Sequence, residues 1–358
     1  MIVRAARALL ADGLHGPVAV EMDGDHIVDV VRSPGPAPEV LLAPGFVDLQ
    51  VNGGPGVDVA GAGPEGIAAL SLWLAEAGVT TWLPTLITTT PDRQQAWAAR
   101  LEAMRRGQGA SATAGARIGG LHLEGPMLGG LPGAHPAELV RSLSLAEVAG
   151  LPAGVRLVTL APEAPGAPEI IAALVARGIT VGLGHTTADN AQLDAARAAG
   201  ARLVTHVFNG MPPFHHRAPG PAGWALTTDG MAVSVVADGW HVDPRVLLLT
   251  SRAKPAGDLV LVSDAVAFDV GHRPGQPVRL QDATIAGSTI RLDAAVRLAV
   301  HSGVEPEVAL RAATRAPAAL VGLGDRGEIA AGRRADLVAL TSELEVAQVW
   351  IGGEEVRR

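Results

Sequence analysis

Four strand-like apolar runs in this chain each end on a residue that can bind a metal or move a proton. The run Ile118–Leu123 leads into Glu124 and breaks at Gly125-Pro126, while VGLGH, RLVTH and LVLVSD end at His185, His206 and Asp264. A buried strand delivers an acidic or imidazole side chain to the rim of a sheet in this way. Taken alone, either histidine is as readily a hydrogen-bonded core residue as a ligand. Taken with Glu124, His185 and His206 make a two-His, one-carboxylate set with a fourth position open, the composition of a hydrolytic zinc site. Asp264 either caps the segment after its strand or takes a proton from the activated water and returns it to a leaving group. The apolar approach to it favours the second role. The chain has no cysteine, so no thiolate ligand, disulfide or cysteine nucleophile competes with this set.

Further polar residues lie beyond the apolar runs. His135 (GAH) and His241 (DGWHV) are candidates for substrate contact, with plain surface histidine as the alternative. In FNGMPPFHHRAPG, Asn209 and Arg217 sit in a Pro-rich loop. There an arginine is either solvated or clamps a phosphate or carboxylate through two parallel hydrogen bonds. The adjacent His215 and His216 are left unassigned. His122 alternates with Glu124 along one strand but lies deeper, so a structural role beside the site is expected. Gln50 and Asn52 close the first run as DLQVN, where many barrel hydrolases carry His-x-His.

Eight apolar runs position these residues: Gly45–Val51, Val79–Leu83, Ile118–Leu123, Val155–Leu160, Thr180–Leu183, Arg202–Thr205, Val233–Val236 and Leu259–Val262. Each precedes an amphipathic helical pattern. Asp189 is placed to cap AQLDAARAA with Gly200 ending it, and PEIIAALVAR stops at Gly178. The expected fold is therefore α/β, a (β/α)8 TIM-like barrel over residues 45–325. A doubly wound sheet is the rival, but no G-x-G-x-x-G turn follows a strand. Residues 1–44 include VAVEMDGDHIVDVV, which alternates around an Asp23-Gly24 turn as a hairpin does. Residues 326–358 contain short strand patterns between Gly-rich turns. Neither end is long enough to make a core alone, so the two are expected to meet in one small β-sandwich.

At 358 residues and 48% hydrophobic content, the chain can bury a large core. A net charge of -8 and no basic run argue against a nucleic-acid partner. The opening MIVRAARALL is too short and polar for a secretory signal, and no apolar run reaches membrane-spanning length. A cytoplasmic protein is expected. Lys254 is the only lysine among 28 basic residues, and it stands before the last strand rather than at a strand's carboxyl end. That position argues against a carboxylated lysine bridging two metals, as in dihydroorotase- or urease-like enzymes, and against a Schiff base.

The motifs APGFVDLQVNG, GVTTWLPTLIT, GLHLEGPM, PGAH, LAPE, GHTTAD, THVFNGM, DGWHVDP, SDA and AGSTI run nearly from end to end. In them the chain resembles the N-acetylglucosamine-6-phosphate deacetylase family of the amidohydrolase superfamily. The resemblance implies metal-dependent hydrolysis of an acetamide, with Glu124, His185 and His206 as metal ligands and Asp264 as general base and acid. It implies that His135 helps to polarise the acetyl carbonyl and that His241 contacts the sugar. Asn209, the Gly210 backbone and Arg217 correspond to the phosphate grip. A homodimer is implied, with a neighbouring subunit helping to line the phosphate pocket. Gln50 stands where binuclear members carry a histidine, which implies one divalent metal ion: zinc first, with iron, cobalt or manganese as alternatives. PGAH lacks the usual lysine before the glycine, and the stretch from Asp264 to Ala286 is shorter than in the family. Deacetylation of another N-acetyl amino sugar, or non-catalytic binding of a sugar phosphate, are the alternative readings.

Overall fold

The computed structural model describes residues 1–32, 35–108, 115–273 and 275–356. Its centre is a barrel of eight parallel strands: Phe46–Val51, Val79–Leu86, Leu121–Glu124, Val155–Leu160, Thr180–Leu183, Leu203–Val204, Ala232–Val236 and Leu259–Val262. They pair in sequence order from first to eighth. The first, second, third, seventh and eighth are buried at every position, as expected of strands covered by side chains within and helices outside. The eighth strand meets the first just beyond their ends, through a parallel bridge of Val51 with Ala265. Asp264 N donates to Gln50 O at 3.0 Å, and Asn52 N to Ala265 O at 2.7 Å. This closes the barrel.

Every barrel strand is followed by a helix, and their punctuation follows from the sequence. Asn190–Ala198 begins with a reciprocal capping box between Asp189 and Gln192, so two N–H groups that the helix leaves free are satisfied. Ala167–Ala176 ends before Gly178, whose N–H closes on Val175 O. Two further short helices, Pro306–Ala313 and Arg315–Leu320, lead to the foot of the barrel. Ala316, Ala318, Val321 and Leu323 there join Val47, Leu83, Leu157 and Val260 from the strands in one core.

Both chain ends build a two-sheet unit beside the barrel. Ile2–Ala5, Val18–Asp23 and His26–Arg32 form one antiparallel sheet; its hairpin turns at Gly24-Asp25, one residue beyond the expected Asp23-Gly24, because Asp23 still pairs with His26. In the second sheet the C-terminal strand Leu337–Leu340 pairs with Leu41–Pro44, which leads directly into the first barrel strand. Val18, Val20 and Ile27 pack with Leu42, Leu337 and Trp350 between the sheets. The expected sandwich from both termini is thus present. A small hairpin, Val278–Arg279 with Ile285–Gly287, is an element the sequence did not signal.

Candidate active site

A cavity of about 580 Å³ opens at the carboxyl ends of the barrel strands, within the usual range for a small-molecule site. Glu124, His135, His185, His206, Asn209, Gly210, His241 and Asp264 all line it, so seven of the eight strand-end and loop candidates' side chains, and the Gly210 backbone, come together. Val278, Leu280 and Ile285 of the small hairpin form an apolar side.

Glu124, at the end of the third strand, is 3% exposed. Its Oε1 lies 3.1 Å from His185 Nε2 and 2.8 Å from His206 Nε2, and the two Nε2 atoms are 3.2 Å apart. Donor atoms about 2.0–2.2 Å from a four-coordinate zinc lie about 3.3–3.6 Å from one another, so this spacing needs little change to hold a divalent cation. His185 Nδ1 sits 3.0 Å from Leu131 O and donates to it, which leaves the Nε2 lone pair free to face Glu124 in the neutral ring. Burial disfavours the charged form of His185, but the hydrogen bond and charge of Glu124 outweigh it and raise its pKa. Burial likewise works to raise Glu124, and the three surrounding histidines hold it well below the usual range instead. Gln50 Nε2 donates to Glu124 Oε2 at 3.2 Å.

The ligand atoms of Glu124, His135 and His185 also lie within 4.8 Å of one another. His135 nevertheless differs from the other two rings. The backbone N–H of Thr88 donates to its Nδ1 at 3.1 Å. Nδ1 is therefore an acceptor, and the proton of the neutral ring sits on Nε2, which faces Glu124 Oε2 at 3.7 Å. Burial pushes the His135 pKa down and keeps the ring neutral. His135 is thus a donor into the cavity, whereas His206 turns its Nε2 to Glu124 Oε1 and its buried Nδ1 has no partner among the described residues.

Asp264 follows the eighth strand and accepts from Asn52 Nδ2 through Oδ1 at 2.9 Å. Burial and the nearby Glu124 charge push its carboxyl well above the ordinary range, which suits a group that takes and returns a proton. Beneath Glu124, His122 bonds to Leu49 O and to the hydroxyls of Thr85 and Thr159. Burial takes its pKa down to about 4, so it is a neutral structural residue, as expected.

Asn209 turns its amide back to His206 O and Val207 O. At Gly210, φ is 62° and a Cβ would stand 2.8 Å from His185 Nδ1, so only glycine brings this backbone so close to the ring. Arg217 is different: it is exposed and does not line the cavity of its own chain. His215 and His216 stack on each other with ring centroids 4.3 Å apart, also outside the cavity. Sequence reasoning missed Asp238, which grips His241, and Thr88, which orients His135. The Asp238-Gly239-Trp240-His241 spacing carries a signal for the first; nothing marks the second.

A parallel eight-stranded barrel with acids and imidazoles gathered at its carboxyl end is the architecture of a barrel enzyme. Residues 41–356 match the model of the amidohydrolase family, and the chain belongs to that family. It is 39% identical to the N-acetylglucosamine-6-phosphate deacetylase of Homo sapiens, covering 88% of this chain and 83% of that one. It is 38% identical to the N-acetylgalactosamine-6-phosphate deacetylase of Escherichia coli O157:H7, covering 88% and 87%. Among solved structures it is similar to the N-acetyl-D-glucosamine-6-phosphate deacetylase of Mycobacterium smegmatis, a mutant in complex with N-acetyl-D-glucosamine-6-phosphate. That likeness has a TM-score of 0.91 at 32% identity and covers 100% of this chain and 99% of that one.

Proposed function

We propose that this protein hydrolyses the acetamide of N-acetylglucosamine 6-phosphate, releasing acetate and glucosamine 6-phosphate. One observation carries the reading: Glu124, His185 and His206 converge in the same cavity as Asp264, in a chain similar along most of its length to deacetylases of phosphorylated amino sugars. Glu124, His185 and His206 would hold one divalent cation, zinc first, with iron, cobalt or manganese as alternatives. Bound there, the cation would supply Lewis acidity and make the attacking water easier to deprotonate. Gln50 donates to Glu124 where a second site would want another imidazole, which supports one cation rather than two.

The chain's own residues do the rest. His135 donates from Nε2 to the acetamide oxygen. Asp264, its Oδ1 held by Asn52, accepts the proton of the attacking water at Oδ2. As the new C–O bond forms and the C–N bond breaks, that proton passes to the departing nitrogen. His241 contacts the sugar. Asn209, the Gly210 backbone and Arg217 grip the phosphate. No arginine or lysine among the described residues lines the cavity of the single chain. A homodimer in which Arg217 reaches into the neighbouring copy's cavity is therefore the assembly we propose. No described helix is long and apolar enough to cross a membrane, and a cytoplasmic location goes with a phosphorylated substrate.

A second reading, N-acetylgalactosamine 6-phosphate as substrate, is favoured by the E. coli relative at nearly the same identity. Acetate release by the metal-replete protein separates these readings. N-Acetylglucosamine 6-phosphate should be cleaved well ahead of both its galactose epimer and unphosphorylated N-acetylglucosamine, and chelation should abolish the reaction. Preference for the epimer would replace the substrate, equal rates without phosphate would remove the phosphate grip, and tight binding without acetate release would make the protein a binder.

A further inference from the structure

Behind His241, at the cavity wall, stands a carboxylate to which the proposed chemistry gives no part. Asp238 follows the seventh barrel strand, and Gly239, with φ of 78°, turns the chain back over the Asp238 side chain. Asp238 Oδ1 accepts the backbone N–H groups of Trp240 and His241, each at 2.8 Å, and Oδ2 faces His241 Nδ1 at 2.7 Å. The two side chains are 1% and 5% exposed. Burial alone would push the Asp238 carboxyl up. The hydrogen bond and charge of His241, with the two backbone donors, reverse that and hold it below the ordinary range.

An ionised carboxylate only accepts hydrogen bonds, so His241 Nδ1 must carry the proton. The other ring nitrogen, Nε2, has no hydrogen-bond partner among the described residues, and the ring lines the cavity. The cavity wall already holds the carboxylates of Asp58, Glu124 and Asp264. A further anionic acceptor there would repel a phosphorylated substrate, whereas an imidazole lone pair accepts a hydroxyl proton without adding negative charge.

We propose that Asp238 is a positioning residue that fixes His241 as the Nδ1–H tautomer, so that Nε2 accepts a hydrogen bond from a hydroxyl of the bound hexosamine. This rests on reading the site as an N-acetylhexosamine-phosphate deacetylase.

Asp238→Asn tests it with little change of shape. The amide oxygen can keep the two backbone N–H groups, and its NH₂ then faces Nδ1, driving the ring proton to Nε2. For the metal-replete enzyme KM should rise about tenfold, with kcat within about threefold and metal content unchanged. His241→Ala should raise KM similarly, and the double variant should lose no more than either single one. Against N-acetylhexosamine 6-phosphates each lacking one hydroxyl, one analogue should weaken wild type about tenfold and leave D238N unaffected. Nitrogen-15 NMR of the wild-type ring, assigned by its loss in H241A, should find Nδ1 protonated and Nε2 bare, reversed in D238N. A wild-type Nε2–H neutral ring, a kcat loss at unchanged KM, or deoxy analogues that do not separate wild type from D238N would each overturn the proposal. If D238N does not fold, the wild-type spectrum and H241A against the deoxy series decide it instead. Failure of wild type to cleave any of these sugars sinks the functional reading, while the spectrum still judges the tautomer.

Discussion

Three residues proposed for the chemistry sit in backbone conformations that side chains usually avoid. His185, His206 and Asp264 have φ of 50°, 32° and 48°. A left-handed residue other than glycine costs on the order of 1 kcal/mol or more and persists where its surroundings impose it. All three stand where a strand stops and the chain bends to aim a side chain into the cavity. The residue types were legible in the sequence because each ends an apolar run. The bend was not, since histidine and aspartate adopt a positive φ more often than most side chains but do not by themselves announce one. Nor was the proton on His135 Nε2, which a Thr88 N–H distant in sequence decides. If Asp264 carries the proton, Asp264→Asn keeps an oxygen for Asn52 but loses the base. Turnover should fall by about 10²–10⁴-fold with metal content unchanged, measured by acetate release beside metal analysis. A near-normal rate in that variant removes Asp264 from the mechanism.

At the scale of elements, apolar runs made all eight barrel strands legible, but not their extents. The third strand begins at Leu121 rather than Ile118, because Gly119-Gly120 separates it from the two-residue strand Arg117–Ile118. The second continues to Leu86, through Pro84, and pairs at Thr85 and Leu86 with the third. The closing seam was invisible, because its backbone bonds join residues at the two ends of the barrel sequence, beside a carboxylate buried between the eighth and first strands. Asp48 Oδ1 accepts from Gln50 N at 3.3 Å and Ser263 N at 3.2 Å, while Oδ2 is buried without a partner among the described residues. Burial raises this carboxyl from 3.8 to about 6 against the hydrogen bonds of Ser263. Between those values the folded chain holds a proton that the unfolded chain has released. The associated stability is full below the unfolded value and is lost as pH rises through about 6, an effect of about 3 kcal/mol. Asp48→Asn lacks this titration. In urea unfolding of the metal-free proteins, its stability relative to wild type should improve by about 2.5 kcal/mol between about pH 4 and pH 8. A constant difference across that range would mean Asp48 ionises in the folded chain as freely as in the unfolded one.

The whole molecule poses a charge problem that the described residues of a single chain's cavity do not solve. The protein carries a net charge of -8, and its cavity wall has three carboxylates but no arginine or lysine among the described residues. A phosphorylated substrate needs a cation at its far end. Arg217 has no partner for its guanidinium among the described residues, and it stands on an exposed loop outside its own cavity. On the loops after the sixth and seventh strands, Phe214 and Trp240 are each 51% exposed, apolar surface that a second copy would cover. If Arg217 acts across a dimer, two differently damaged chains should repair each other. Arg217→Ala and Asp264→Asn, each nearly inactive alone on the phosphorylated substrate, are mixed after dissociation and allowed to reassociate. Half the dimers are then mixed, and each has one cavity with Asp264 from one chain and Arg217 from the other. About a quarter of all sites should recover wild-type turnover and KM. If Arg217 serves its own chain's cavity, every site in the mixture lacks one group or the other, and activity stays at the level of the separate variants.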